Sequence, residues 1–326
     1  MTSFTWRDGD RLIRFGRGAV EEAVELLGGP GFTLLSTERA ATAAPHVATV
    51  AAQVHHVGSG PVPDLAGGLL GTVRGDRLVA LGGGRVIDVT KALAAAGGVR
   101  AMAIPTTLSG AEMTRSHRLP EGADPATPRV RPSVVVNDPA LSASQPVAEL
   151  AASALNALGH AAEAMCVPHG NPVIHLVAGE SARLLAVAFK RAEPNREALA
   201  LGALLGGYAL DASGMGMHHV LAQTLVRRAG VGHGQANAVM LPHTLGALAW
   251  RFQTQLDALA AALGEDPADA AARVAAIAGA TTLGELGVDA AVLPSCADEA
   301  AARAELDNTP PRADRAEILA LYEHAY

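Results

Sequence analysis

Aromatic side chains are scarce in this 326-residue chain, since Phe, Trp and Tyr together make up 3% of it. Proteins that bind single-stranded nucleic acid need aromatic rings on which the bases stack. Charged residues are also few, at 17%, and the formal net charge is −7. Because a phosphate backbone attracts clustered Lys and Arg, this balance argues against a polyanionic partner. We expect no nucleic-acid partner.

Cysteines and long apolar runs are sparse as well. The two cysteines, Cys166 and Cys296, form neither a metal-binding spacing nor a disulfide framework. No apolar run approaches the length that crosses a bilayer. The first residues, MTSFTWRDGDRLIRFG, are charged and lack the apolar core of a signal peptide. We therefore expect a cytoplasmic protein without a membrane partner.

Hydrophobic residues are abundant, at 49%, and the length suffices for two domains with separate cores. Short apolar runs in the first half predict buried parallel strands at 32–35, 77–81, 102–105 and 134–136. Alternation predicts a strand pair over 4–15, and helix-like stretches cover 20–27, 40–56 and 86–96. Residues 57–63 and 115–132 are expected to be loops.

From about residue 147 the chain becomes alanine-rich and helical, with no strand pattern. We therefore predict two domains. Residues 1–147 form an α/β, Rossmann-like dinucleotide-binding domain, and residues 148–326 form an all-α domain that carries a histidine cluster.

A glycine triplet, Gly82 to Gly84, joins the strand at 77–81 to the helix that follows. Glycines let backbone N–H groups approach a pyrophosphate, and the helix dipole favours the charge of that group. The alternative is an ordinary tight turn. The next strand ends in residues that either bond phosphate or ribose or cap a helix, namely Thr106, Thr107 and Ser109.

The residues after the strand at 32–35 bear on the choice of cofactor. An acidic residue at this point favours NAD, because a carboxylate bonds the 2′-hydroxyl of the ribose. Here the strand runs into Ser36 and Thr37, with Arg39 close by. Thr37 is therefore a candidate ribose contact, and NADH and NADPH both remain open.

Three histidines in the second half form a candidate site. His160 follows Asn156 by four residues, so the two share one face of a helix. His219 lies in another helical segment, and His233 lies in a glycine-rich turn, which we expect to precede the next helix. Buried histidines are metal ligands, acid–base groups or packing residues.

Six segments in this order resemble the iron-containing alcohol dehydrogenase superfamily, and within it the maleylacetate reductase family. They are GGGRVIDVTK (82–91), IPTTLSGAEMT (104–114), NDPAL (137–141), NALGHAAEA (156–164), HH (218–219) and HGQANAVMLPH (233–243). The resemblance covers essentially the whole chain. It implies the dehydroquinate synthase-like architecture of that superfamily, with a nucleotide domain followed by a helical domain.

The resemblance also implies residue roles. Cofactor contacts carry over to Gly83, Gly84, Asp88, Thr106, Thr107 and Ser109. Metal-binding members hold Fe or Zn with one Asp and three His, and the matching positions here are Asn156, His160, His219 and His233. Because a neutral amide replaces the carboxylate, we expect a divalent metal to bind weakly or not at all. Gln223 stands where many members have a His, and Arg85 where most have a Ser.

These observations predict an NAD(P)H-dependent reductase that transfers hydride to an activated C=C or C=O of a small carboxylated oxo compound. His219 and His233 would polarise or protonate the substrate, and His160 and Asn156 would position them. The substrate carboxylates would need cations, for which Arg17, Arg115 and Arg118 are candidates. The alternatives are a metal-dependent alcohol dehydrogenase and a relative without hydride transfer, which would be a biosynthetic lyase or cyclase or a binding protein. The resemblance further implies a homodimer.

Overall fold

The computed structural model describes residues 2–190 and 193–326. The chain divides into two compact units, Met1–Ser144 and Gln145–Tyr326. Unit 1 is built on a sheet, and unit 2 is built from helices. The first helix of unit 2 begins at Val147.

Unit 1 is organised around a seven-stranded sheet. Its strands are β1 (Phe4–Asp8), β2 (Arg11–Phe15), β3 (Thr33–Ser36), β4 (Gln53–His56), β5 (Arg77–Gly82), β6 (Arg100–Pro105) and β7 (Val134–Asn137). They lie in the order β1-β2-β7-β6-β5-β3-β4. The β1–β2 pair is antiparallel, and every other neighbouring pair is parallel.

Alternate residues of the central strands point to opposite faces of the sheet, and both faces are covered. Val79 and Leu81 of β5 pack into the core on one face, whereas Leu78 and Ala80 pack into the core on the other. Strands that are buried on both sides are apolar throughout. This is why β5 and β6 could be predicted as continuous hydrophobic runs.

The helices of unit 1 are α1 (Ala23–Leu26), α2 (Glu38–Ala43), α3 (Pro45–Thr49), α4 (Val62–Leu69) and α5 (Gly84–Gly97). The single helix-like stretch predicted over 40–56 is wrong. It breaks at Pro45, which starts a new helix, and it ends in the edge strand β4. The side chains of β4 are mostly exposed, so this strand has no apolar run to mark it. The loop predicted at 57–63 ends earlier, since α4 begins at Val62.

Unit 2 is helical. Its helices are α6 (Val147–Met165), α7 (Pro172–Ala188), α8 (Arg196–Ser213), α9 (Met217–Arg228), α10 (His233–Ala249), α11 (Gln253–Leu263), α12 (Pro267–Ala278), α13 (Leu293–Ala301) and α14 (Arg315–His324). Side chains cap several amino ends, among them Asn171, Asn195, Asp266 and Asp314. Helix α6 is buried over most of its length and packs against α7, α8, α10 and α12.

Within residues 2–190 and 193–326, no single helix combines the length and hydrophobicity of a membrane span. Helices α8 and α9 taken together have the length and composition of a span, but the chain bends by 102° between them.

The sheet of unit 1 allows a direct test of its core. Val79 is fully buried, and Val54, two strands away in the same row of paired residues, is 41% exposed. We expect Val79→Ala to lower the free energy of unfolding by about 2 kcal/mol, since the lost side-chain atoms leave a cavity. Val54→Ala, the matched control, should change it by less than about 0.5 kcal/mol. Urea denaturation measures both, and equal effects would contradict this description of the core.

Candidate functional site

Helix α6 presents three polar side chains to the interior of unit 2. Asn156, His160 and Glu163 are spaced by four and three residues, so they lie along one face of the helix. Their exposed fractions are 4%, 5% and 2%. Polar groups this deeply buried require partners, and the partners come from α9 and α10.

Helix α9 approaches α6 closely at Gly159. A Cβ atom at that position would lie 2.7 Å from the ring of His218, so only glycine leaves room for the histidine pair. The ring of His219 stacks on that of His160, with centroids 4.8 Å apart. The sequence placed these two histidines in one cluster, and the structure brings them together.

Helix α10 supplies His233 and Asn237. The expectation that His233 precedes the helix is wrong, because the glycine-rich turn ends at Gly232 and His233 is the first helical residue. In contrast to the other histidines of the cluster, His233 is exposed. The cluster therefore reaches the surface of unit 2 at this residue.

Two amides connect the histidines. The Oδ1 atom of Asn156 lies 3.2 Å from His233 Nε2, and its Nδ2 atom lies 3.3 Å from His160 Nε2. Asn237 Nδ2 donates to the carbonyl of His233, and its Oδ1 atom lies 3.0 Å from His218 Nε2. The imidazoles of α6, α9 and α10 are thus held by a continuous set of hydrogen bonds.

Glu163 is the partner of His219. Its Oε2 atom lies 2.6 Å from His219 Nδ1, and its Oε1 atom accepts the backbone N–H of the same residue at 3.1 Å. The backbone N–H groups of Gly216 and His218 also bond to this carboxyl, which therefore caps α9 from outside that helix. The sequence motifs assign no role to Glu163. The available signal was an acidic residue in an otherwise apolar, buried stretch.

Burial controls the protonation of the cluster. It lowers the pKa of His218 and of His219 to about 3 and holds the pKa of His160 well below its usual value. Burial also raises the pKa of Glu163. The Glu163–His219 pair can therefore hold protons in two ways. A carboxylate accepts from Nδ1–H, or a carboxylic acid donates to Nδ1 and leaves the proton on Nε2.

Two ring nitrogens of the cluster are buried without a hydrogen-bond partner in the described part of the chain. They are His219 Nε2 and His160 Nδ1. A buried polar atom without a partner costs free energy, so such atoms mark places where a ligand is expected. His219 Nε2 is the nitrogen opposite the one fixed by Glu163.

The cluster has an amide, Asn156, where a carboxylate would serve a metal ion better. Within the described residues, no three or more His, Cys, Asp or Glu side chains are arranged to hold a metal ion. The amide N–H of Asn156 points at His160 Nε2, where a metal would take the lone pair of that nitrogen. Among Asn156 and the three histidines, a cation would find no carboxylate to neutralise its charge. The amide of Asn156 connects His160 to His233.

Unit 1 has its candidate site at the carboxyl ends of β3 and β5. The chain reverses direction across the sheet here, because β4 lies on one side of β3 and β5 on the other. Ligands of open α/β sheets bind at such points. Gly83 caps α5 without a side-chain hydrogen bond, and a Cβ atom at Gly84 would lie 2.9 Å from Ser109 Cβ. The glycine turn therefore packs directly on the loop after β6.

The structure brings Gly83, Gly84, Thr107 and Ser109 together. The side chains of two other predicted cofactor contacts have hydrogen-bond or ion-pair partners within unit 1. Thr37 caps α2 by accepting the N–H of Ala40 at 3.2 Å. Asp88 lies 2.8 Å from Lys91 Nζ. Thr106 is buried, with 7% exposure.

Lys91 is a buried cation for which the sequence analysis predicts no role. It is fully buried, and its Nζ atom donates to the carbonyls of Ala111, Thr114 and Ser116. This ammonium holds the loop after β6 against α5. The loop that carries Thr107 and Ser109 is therefore held in position by hydrogen bonds from α5.

Comparison with known proteins identifies the family. Residues 150–326 match the model of the Fe-containing alcohol dehydrogenase family, C-terminal, and residues 37–146 match that of iron-containing alcohol dehydrogenase. The chain belongs to the Fe-containing alcohol dehydrogenase family. This confirms the superfamily and fold class predicted from the sequence, and it makes the chain a member of a family of oxidoreductases.

Several members of the Fe-containing alcohol dehydrogenase family to which the chain is similar are maleylacetate reductases. Maleylacetate reductase 1 of Rhodococcus opacus is 36% identical over 248 residues, which are 73% of this chain and 70% of that protein. Maleylacetate reductase of Burkholderia cepacia is 36% identical over 198 residues, 58% of this chain and 56% of that protein's length. The crystal structure of maleylacetate reductase from Agrobacterium tumefaciens has a TM-score of 0.85 and 30% identity, covering 100% of this chain and 99% of that one.

The effect of an amide at position 156 on the affinity for a metal ion can be tested by substitution. We expect Asn156→Asp to bind Zn²⁺ or Fe²⁺ at least about tenfold more tightly than the wild type, because a carboxylate neutralises the cation and frees His160 Nε2. Metal analysis after dialysis against each ion measures the difference. Asn237→Asp, a control in which the new carboxylate faces His218, should bind less metal. Equal, stoichiometric metal in the wild type and Asn156→Asp would contradict the role given to the amide.

Proposed function

We propose that unit 1 binds NADH or NADPH. The glycine turn places the amino end of the fourteen-residue helix α5 at the reversal point of the sheet, where backbone N–H groups and the helix dipole favour a pyrophosphate. The loop held by Lys91 adds the hydroxyls of Thr107 and Ser109. Glu38 and Arg39, both exposed after β3, would favour NAD and NADP respectively, so both nucleotides are candidates.

We propose that the protein is a reductase of the maleylacetate reductase type, acting on a small carboxylated oxo compound. The observation that carries this proposal is the buried Glu163–His219 pair. The Nε2 atom of His219 has no hydrogen-bond partner in the described part of the chain. The nicotinamide, when bound, supplies the hydride. The electron pair displaced from an activated C=C or C=O then needs a proton.

His219 Nε2 is suited to supply that proton. In the arrangement with a neutral carboxyl, Glu163 donates to Nδ1 and His219 carries its proton on Nε2. Donation from Nε2 to an enolate or alkoxide is followed by transfer of the Glu163 proton to Nδ1, so a neutral imidazole remains and the charge moves to the carboxylate. The backbone N–H groups at the start of α9 stabilise that carboxylate.

The other members of the cluster have positioning roles in this proposal. His160 stacks on His219 and restricts its ring, and Asn156 joins His160 to the exposed His233. No step is assigned to a metal, because the amide occupies the nitrogen that a metal would need. The homodimer expected from the sequence stays a prediction.

Binding and turnover test the proposal. Titration of the protein with NADH and NADPH should show binding of at least one of them, and maleylacetate should cause its oxidation. Glu163→Gln should lower kcat about 100-fold, since an amide cannot exchange a proton with His219. The nucleotide Kd and the substrate KM should stay within about twofold, because the amide keeps the size and the acceptor for α9.

Glu180→Gln is the matched control, since Glu180 is exposed and pairs only with Arg183 among its described contacts. It should have the activity of the wild type. If the protein binds neither NADH nor NADPH, the reductase proposal is contradicted. Unchanged kcat in Glu163→Gln would remove Glu163 and His219 from the proton transfer.

A further inference from the structure

Gln223 and Arg303 extend the candidate site along α9. Gln223 follows His219 by one helical turn and lies on the same face. Its Oε1 atom accepts a hydrogen bond from Arg303 Nη1 at 3.1 Å. The guanidinium of Arg303 is therefore anchored about one helical turn, 5.4 Å along the axis, from the position of His219.

The guanidinium is held in a fixed orientation. Its Nε and Nη2 atoms bond Glu305 at 3.4 and 2.6 Å, and Gln223 is itself fixed by a contact of Nε2 with Met215 Sδ at 3.2 Å. The Arg303 side chain remains 15% exposed. A cation held on two sides loses little conformational entropy when it binds a ligand.

Arg303 has capacity for one more carboxylate. A guanidinium carries five N–H bonds, and three of them are used by Gln223 and Glu305. One N–H on each terminal nitrogen is left within the described chain, and two such groups match the two oxygens of a carboxylate. The charge of Arg303 also reaches the cluster, since it contributes to the lowered pKa of His219.

Other arginines of this region are less suited. Arg227 and Arg228 lie further along α9 and are exposed, and both pair with Glu299. The cations suggested from the sequence, Arg17, Arg115 and Arg118, belong to unit 1, and their role stays a prediction. Arg303 is the arginine joined to the face of α9 that carries His219.

We propose that Arg303 binds a carboxylate of the substrate and selects for carboxylated oxo compounds. The proposal rests on the reductase function above, because it assigns the group that recognises the substrate of that reaction. Gln223 is then a positioning residue. Its side-chain carbonyl accepts from the guanidinium, which a protonated His at this position could not do.

Binding of a dicarboxylate that cannot be reduced tests the assignment without turnover. Calorimetry with succinate and with monomethyl succinate, on protein saturated with NADH or NADPH, gives the preference for the second carboxylate. We expect the wild type to bind succinate about tenfold more tightly than its ester, and Arg303→Gln to bind the two within about threefold of each other. Arg315→Gln, which removes an exposed guanidinium paired with Asp298, should keep the wild-type preference.

Gln223→Ala provides a second variant that leaves the charge in place. It should lose part of the preference, about threefold, because the guanidinium is no longer held. Unchanged preference in Arg303→Gln would overturn the assignment, and so would a wild type without preference. Loss of preference in Arg303→Gln, together with no oxidation of NADH or NADPH by the wild type, would support the carboxylate site and overturn the reductase function.

Discussion

The buried carboxyl of Glu163 is the constraint that joins helix α6 to the amino end of α9 in unit 2. It caps the amino end of α9 with backbone hydrogen bonds and holds His219 by Nδ1, so one side chain sets both the position of a helix and the orientation of a ring. A group with 2% exposure can persist only if its partners are in place. The close approach of α6 and α9 at Gly159 is what brings those partners within reach.

In each unit a buried polar group holds a segment of the candidate site in position. In unit 2 the amide of Asn156 joins His160 to His233, and in unit 1 the ammonium of Lys91 holds the loop that bears Thr107 and Ser109. Neither group needs to touch a substrate to matter. Both keep the atoms of a candidate site in one arrangement, which is the condition for electrostatic stabilisation of a transition state.

Much of this architecture could be predicted from the sequence, because buried parallel strands such as β5 are apolar throughout and glycine turns recur at helix starts. The family was recognised from six ordered segments, and the comparisons confirm it. The features that could not be predicted either lack a buried face or depend on contacts between residues far apart in the sequence. The edge strand β4 has no buried face to mark it, and Arg303 meets Gln223 only through the fold, 80 residues apart. The glycine-rich pattern also predicted that His233 lies in a turn, whereas His233 is the first residue of α10.

We propose that the Glu163–His219 pair, in a histidine cluster without a metal ion, carries the proton chemistry of this Fe-containing alcohol dehydrogenase family member. The most direct test is the rate of NADH or NADPH oxidation with maleylacetate after exhaustive treatment with a chelator, with metal content measured on the same sample. We expect full activity in protein that contains far less than one metal ion per chain. Activity that is lost with the metal and restored by Fe²⁺ or Zn²⁺ would contradict the proposal.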